Sequence, residues 1–158
     1  MKLDRIDLKI LDLLQRDATI PVARIADQVG LSQTPCWKRI QKHEEAGVIR
    51  ARTALLSPDA FGLSLTAFVM VEADEHTADW RKAFLEAVGK LEPVRDVYRL
   101  AGNHDFLLRI VVPDMAAFDR FYAELTDAIR LRRVNSFFAL ETVRTTTTLP
   151  LEGLIAAS

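Results

Sequence analysis

The chain is poor in the residues that staple, punctuate or span. Its 158 residues hold one cysteine, Cys36, so no internal disulfide is available and nothing prepares the chain for an oxidising compartment. Glycine and proline number six each, far below collagen-like or low-complexity usage. The longest apolar stretch, Leu65-Thr-Ala-Phe-Val-Met-Val71, is about a third of the ~20 residues a bilayer crossing requires. The N-terminus is charged from Lys2 onward and lacks the apolar stretch of a secretory leader. Three histidines and one cysteine fall at unrelated places, which excludes a metal-ligand spacing, and there is no Walker loop or glycine-rich nucleotide fingerprint. What the chain does have is core-forming residues, 49% of the total, enough for one ordinary domain or two small ones. These features predict a soluble, cytoplasmic protein with no membrane partner and no cofactor.

Charge is distributed unevenly. Residues 1–52 hold ten Lys/Arg against seven Asp/Glu, a net of +3, while the remainder carries −4, for −1 in all. An asymmetry of that sign suggests an anion-facing first third and a separate acidic body. It gains meaning only where the basic residues share a face.

The first 50 residues read as three short helices. Leu3, Ile6, Ile10, Leu13 and Leu14 recur at helical spacing, with Asp4 placed to cap and Asp7 in the first turn. Pro21 suits the first position of a second helix, whose stripe is Val22, Ile25, Ala26 and Val29 and whose stop is Gly30. Ser32 or Thr34 opens a third, running toward Gly47 with Pro35 tolerated in its first turn. Two helices joined by a short Gly-containing turn are a helix-turn-helix candidate. At 100° per residue, Cys36, Ile40 and His43 share an inner stripe, opposite Thr34, Lys38, Gln41, Lys42 and Glu45, with Trp37 and Arg39 on the flanks. Amide, hydroxyl and cationic groups on one outer face are what a major groove requires. Any single helix could instead be an ordinary amphipathic one; the turn spacing and the basic flank favour DNA.

After Gly47 the period changes. Val48 to Leu56 suits an extended strand, and 51–62 reads as a linker strand and turn between a first domain, 1–50, and a second, 63–158. In the second, Thr66–Glu72 is a strand, Thr77 caps a helix, and Val94–Leu100 and Phe106–Val112 are strands around Gly102-Asn-His-Asp105. Asp114 caps another helix, and a last strand spans 134–148. The class is α+β, a helix-turn-helix domain followed by a ferredoxin-like βαββαβ domain. Helices on one sheet face leave the other bare, and Val69, Val71, Leu107, Arg109 and Phe137 are expected there. Covering it with a second copy predicts at least a homodimer.

Several strings jointly resemble one family: Leu3-Asp-Arg-Ile-Asp7, Val29-Gly-Leu-Ser32, Thr34-Pro-Cys36, Gly47-Val-Ile49, Ala54-Leu-Leu56, Gly102-Asn-His-Asp-Phe-Leu-Leu108 and Thr147-Thr-Leu-Pro-Leu151. In this order they are similar to the leucine-responsive/asparagine-synthase (Lrp/AsnC) transcription regulators, over nearly the whole chain. The resemblance implies a winged-type helix-turn-helix, an effector-binding domain, and dimers that assemble further into tetramers or octamers. It also implies that Gly102, Asn103, His104 and Asp105 meet a neighbouring dimer and hold an amino acid there, with Ser136 added from the last strand. Cys36-Trp-Lys-Arg39, Gly62-Leu-Ser-Leu-Thr-Ala-Phe68 and Trp80 look most like a branch linked to cysteine sensing. The chain departs at Pro21, where the family has Ser, and at His43, where it has Leu; a neutral, hydrogen-bonded core histidine is expected.

The residues expected on DNA are Ser32, Gln33, Thr34, Trp37, Lys38, Arg39, Gln41 and Lys42. Trp37 is open to packing on the first helix or touching the DNA backbone. Asp105 could provide a counter-charge for an α-ammonium group, or serve only the backbone of its own turn. Cys36 on the inner stripe reads as a small buried hydrophobe rather than a redox sensor. His104 and Asp105, adjacent on a strand, point to opposite faces and make no acid–base pair, so no enzyme is expected. The expected function is that of a DNA-binding regulator modulated by a small amino acid, cysteine or a related one. The alternative is a ligand-sensing ferredoxin-like oligomer without direct DNA contact.

Overall fold

The computed structural model describes residues 2–157. The chain forms two compact units, Met1–Leu55 together with Arg144–Ser158, and Leu56–Val143.

In the first unit, α1 (Arg5–Arg16) starts at Asp4 in a reciprocal capping box: Asp4 accepts from the Asp7 N–H and Asp7 accepts from the Asp4 N–H. Helix α2 (Val22–Val29) begins one residue later than its sequence suggests. Pro21 sits at the cap with ψ 140°, its carbonyl taking the first helical bond from Ile25, so the ring needs no donor and still presets the start. Gly30 ends the helix at φ +73°, a left-handed conformation that costs glycine nothing. Helix α3 (Gln33–Glu45) follows Ser32. Ile10, Leu14, Ile25, Ala26, Cys36 and Ile40 close the core of this unit.

Residues 48–56 form no strand. The Val48 and Ile49 N–H groups both bond to the His43 carbonyl, and beyond them no strand among the described residues offers a ladder. The apolar pattern was there; the pairing partner was not. At the far end, α6 (Glu152–Ala157) lies with α1, where Arg16 pairs with Glu152 at 3.2 Å and Gln15 bonds Leu149. The tail from Arg144, expected in the second domain, therefore belongs to the first unit.

The second unit holds β1 (Leu65–Ala73), α4 (Ala78–Val88), β2 (Val94–Arg99), β3 (Phe106–Val112), α5 (Met115–Ala128) and β4 (Leu131–Phe138). Thr77 and Asp114 cap α4 and α5 as the sequence suggests, accepting from Trp80 and Ala117. The antiparallel sheet runs β2-β3-β1-β4, the split arrangement of a ferredoxin-like fold. The last strand stops at Phe138 instead of continuing to Thr148. After Ala139 donates to Thr66 the ladder has reached the start of β1, and the threonine run has nothing left to pair with.

The core lies between sheet and helices. Phe84, Phe121, Leu108, Ile110 and Leu125 are fully buried, each worth roughly 1.5–3 kcal/mol of apolar transfer. Val69 and Val71, expected on the bare face, belong to this core at 0% exposure. The expectation had the strand parity reversed, and Phe68 and Met70 occupy the outer side. Phe68 stands between Phe137 of β4 and Arg109 of β3, which pairs in turn with Asp96, while Met70 shares the next row with Leu107 and Tyr98.

Candidate functional site

Helix α3 separates its faces as its spacing requires. Cys36, Ile40 and His43 are buried, while Ser32, Gln33, Thr34, Trp37, Lys38 and Lys42 are exposed, Trp37 by half. Among the described residues Lys38 and Lys42 make no ion pair, so their charge is available. Gln41 is half-buried and donates to Glu44, whose other oxygen holds Arg52 at 2.8 Å.

Arg39 does not point outward with them. Its Nη1 donates to Asp4 Oδ2 at 2.7 Å and Asp7 Oδ1 at 2.6 Å, and those bonds raise its pKa, Asp4 contributing most. Asp4 is lowered in turn, first by the Asp7 N–H and then by Arg39. Buried His43 is hydrogen-bonded as expected, Nε2 donating to Asp7 Oδ1 at 3.1 Å, while its Nδ1 has no partner among the described residues. Burial pushes the Cys36 thiol up, only partly offset by the Arg39 charge.

In the second unit the loop 100–105 closes a hairpin, with Leu100 donating to the Asp105 carbonyl and Asp105 to that of Val71, both at 2.8 Å. Gly102 takes φ +148° and, with Asn103, sits exposed at its tip. Asp105 and His104 diverge. Asp105 Oδ2 accepts from the Ala73 N–H at 2.8 Å, and Oδ1 lies 3.4 Å from His76 Nδ1. His104 Nε2 instead accepts from Asn135 Nδ2 at 3.0 Å. Ser136 stands opposite Val69, further along the sheet than Asp105, so the structure does not bring it to that carboxylate.

Asp105 borders a recess of about 40 Å³ lined also by Glu75, His76, Thr77, Trp80, Arg81 and Arg99. Among the described residues Arg81 and Arg99 make no ion pair. Trp80 forms one wall, stacked on Phe84 at 5.1 Å and anchored by its ring N–H to the Arg130 carbonyl. Two free guanidinium groups facing a carboxylate and an imidazole suit a small zwitterion. Sequence reasoning missed His76, Arg81, Arg99 and Asn135. Arg99 was within reach, since pairing β2 with β3 puts it opposite Phe106, next to Asp105. Among the described residues no three His, Cys, Asp or Glu side chains gather as a metal site, and no helix is long and apolar enough to cross a membrane.

A helical unit with an open cationic face on α3, joined to a ferredoxin-like unit with a polar recess, defines a helix-turn-helix regulator with a ligand domain. Comparison with known proteins agrees. Residues 3–42 match the AsnC-type helix-turn-helix domain, and residues 66–149 the Lrp/AsnC ligand binding domain. The chain belongs to the Lrp/AsnC family of DNA-binding transcriptional regulators, which are not enzymes. It is 41% identical over 151 residues to the DNA-binding transcriptional activator DecR of Escherichia coli K12, covering 95% of this chain and 99% of that one. A crystal structure of an AsnC family regulator from Agrobacterium tumefaciens shares 49% identity at TM-score 0.91, over 96% and 99% of the two chains. A Neisseria meningitidis regulator solved as its L-Met complex shares 34% at TM-score 0.88, over 97% and 99%.

Proposed function

We propose that the chain reads duplex DNA as a homodimer or larger assembly, through the outer face of α3, under control of a small amino acid held beside Asp105. The observation that carries the DNA contact is the division of α3. Cys36, Ile40 and His43 anchor it, leaving Ser32, Gln33, Thr34, Trp37, Lys38 and Lys42 to face a groove, with Gln41 at their edge. Lysines neutralise phosphates, and the amide and hydroxyl groups meet base edges. Two-fold pairing through the bare sheet face would set half-sites ~34 Å apart or a multiple of that. The work is then done where the DNA is, in the cytoplasm.

The effector reading rests on the recess. Arg81 and Arg99 match an α-carboxylate, and Asp105 with His76 matches an α-ammonium group. Cysteine is the first amino acid to test. Gly102, Asn103 and His104 form the hairpin that would meet a neighbouring dimer, and Ser136 joins only from such a neighbour. L-Met in the Neisseria relative supports the ligand class.

The test is fluorescence anisotropy on a duplex selected from random sequence by the wild-type chain, across salt and with each of the twenty amino acids. Lys38→Gln with Lys42→Gln should flatten the salt dependence by about 0.9 for each lost phosphate contact. Asp105→Asn should remove the amino-acid response and leave basal affinity in place. Unchanged salt dependence sinks the helix assignment, and a retained response sinks the recess.

A further inference from the structure

We propose that Arg39 positions the recognition helix by latching it to the start of α1, and is not itself a phosphate contact. The inference rests on the reading of α3 as the helix that meets DNA, and it reassigns one residue of its basic flank.

Arg39 and His43 stand four apart on α3 and converge on one atom. Arg39 Nη1 reaches Asp7 Oδ1 at 2.6 Å and His43 Nε2 reaches it at 3.1 Å, while Arg39 also holds Asp4 Oδ2 at 2.7 Å. The two carboxylates are themselves fixed by the capping box at the start of α1. Asp7 is only 8% exposed and His43 only 1%, and among the described residues this is where α3 is tied to α1 by charge as well as by packing. A buried carboxylate is tolerated because partners surround it; without Arg39, Asp7 would keep a single side-chain partner, the imidazole. The ties also neutralise Arg39. Two anions lie within 3 Å of its Nη1 and outweigh its single positive charge, so the group has no surplus to attract a phosphate, whereas among the described residues Lys38 and Lys42 carry no such neighbour. Among the described residues Asp7 is the side-chain partner that His43 has.

The two roles predict opposite signs, and the full-length chain tests them on the selected duplex between ~50 and ~200 mM salt, the range in which phosphate contacts are most visible. If Arg39 is a latch, Arg39→Gln lowers affinity at every salt concentration by roughly tenfold and leaves the slope of log K against log salt unchanged. Lys38→Gln, the control, lowers the slope by about 0.9. Asp4→Asn keeps a good helix cap and removes an exposed negative charge, so it should not unfold the unit. A latch predicts that it weakens binding about threefold, whereas simple repulsion from DNA predicts that it strengthens binding. Adding Asp7→Asn to Arg39→Gln should restore part of the lost affinity, because no unpaired buried charge then remains. A slope reduced by about 0.9 in Arg39→Gln, or tighter binding in Asp4→Asn, overturns the latch. If Lys38→Gln leaves the slope untouched while Arg39→Gln lowers it, both the latch and the assigned outer face of α3 fail. If neither changes it and binding persists, the helix reading itself is wrong and the latch has no DNA role.

Discussion

Gln15 grips the backbone of Leu149 with both ends of its amide. Its Nε2 donates to the Leu149 carbonyl at 3.0 Å and its Oε1 accepts the Leu149 N–H at 2.8 Å. Neighbouring Arg16 bridges Asp12 and Glu152, so two consecutive residues of α1 secure the tail. Gln15→Ala should cost about 1 kcal/mol or less, as expected for solvent-exposed hydrogen bonds. It should also expose the peptide bonds around Leu149 to protease in minutes under conditions where the wild type resists. Equal cleavage rates would show that the tail is held by α6 alone.

The Cys36 thiol is buried at 0% exposure and its pKa is raised by that burial. A thiol-reactive chromophore at neutral pH should leave it untouched in the native protein and react stoichiometrically once guanidinium unfolds the first unit. Rapid native labelling would make it a reactive cysteine after all.

Acid should loosen the first unit once pH falls below about 4. Asp4 is held low by the Asp7 N–H and Arg39, and Asp17 by the Thr19 hydroxyl and N–H. A carboxylate whose folded pKa lies below its unfolded value, about 4, stabilises the fold above that pH and loses the contribution as pH falls. Melting temperature followed from pH 7 downward should hold steady and then drop below about pH 4, with a shallower drop in Asp4→Asn. The exposure of both groups keeps the effect small.

Phe137 is 58% exposed directly opposite Phe68 on the uncovered sheet face. The homodimer proposed above would bury it, and Phe137→Glu should then disrupt assembly, because the carboxylate would lose its water without a partner. Sedimentation velocity should show a smaller species with unchanged helix content. An unaltered sedimentation coefficient would place the interface elsewhere.

Most local structure was legible because it depends on local chemistry. Asp4, Thr77 and Asp114 cap the helices their positions suggest, and Gly30 ends α2, since a cap needs only its own next few residues. Strands failed where they needed a neighbour: 48–56 and 139–148 have the composition but no ladder. Val69 and Val71 were misplaced because alternation tells that two faces exist, not which one is covered. The site divides in the same way. The outer face of α3 followed from 3.6-residue periodicity alone, whereas Arg39, on its flank, counted with Lys38 as a DNA contact until Asp4 and Asp7, more than thirty residues away, could be seen beside it. His76, Arg81 and Arg99 meet Asp105 only through sheet register and the helix laid over it.

Because the first unit is assembled from Met1–Leu55 and Arg144–Ser158, it straddles everything between them. On the ribosome, the clasping segment around Leu149 emerges only after residues 56–143 have been made. The DNA-reading half therefore acquires its final support last, when the intervening polypeptide is already outside the exit tunnel and free to fold.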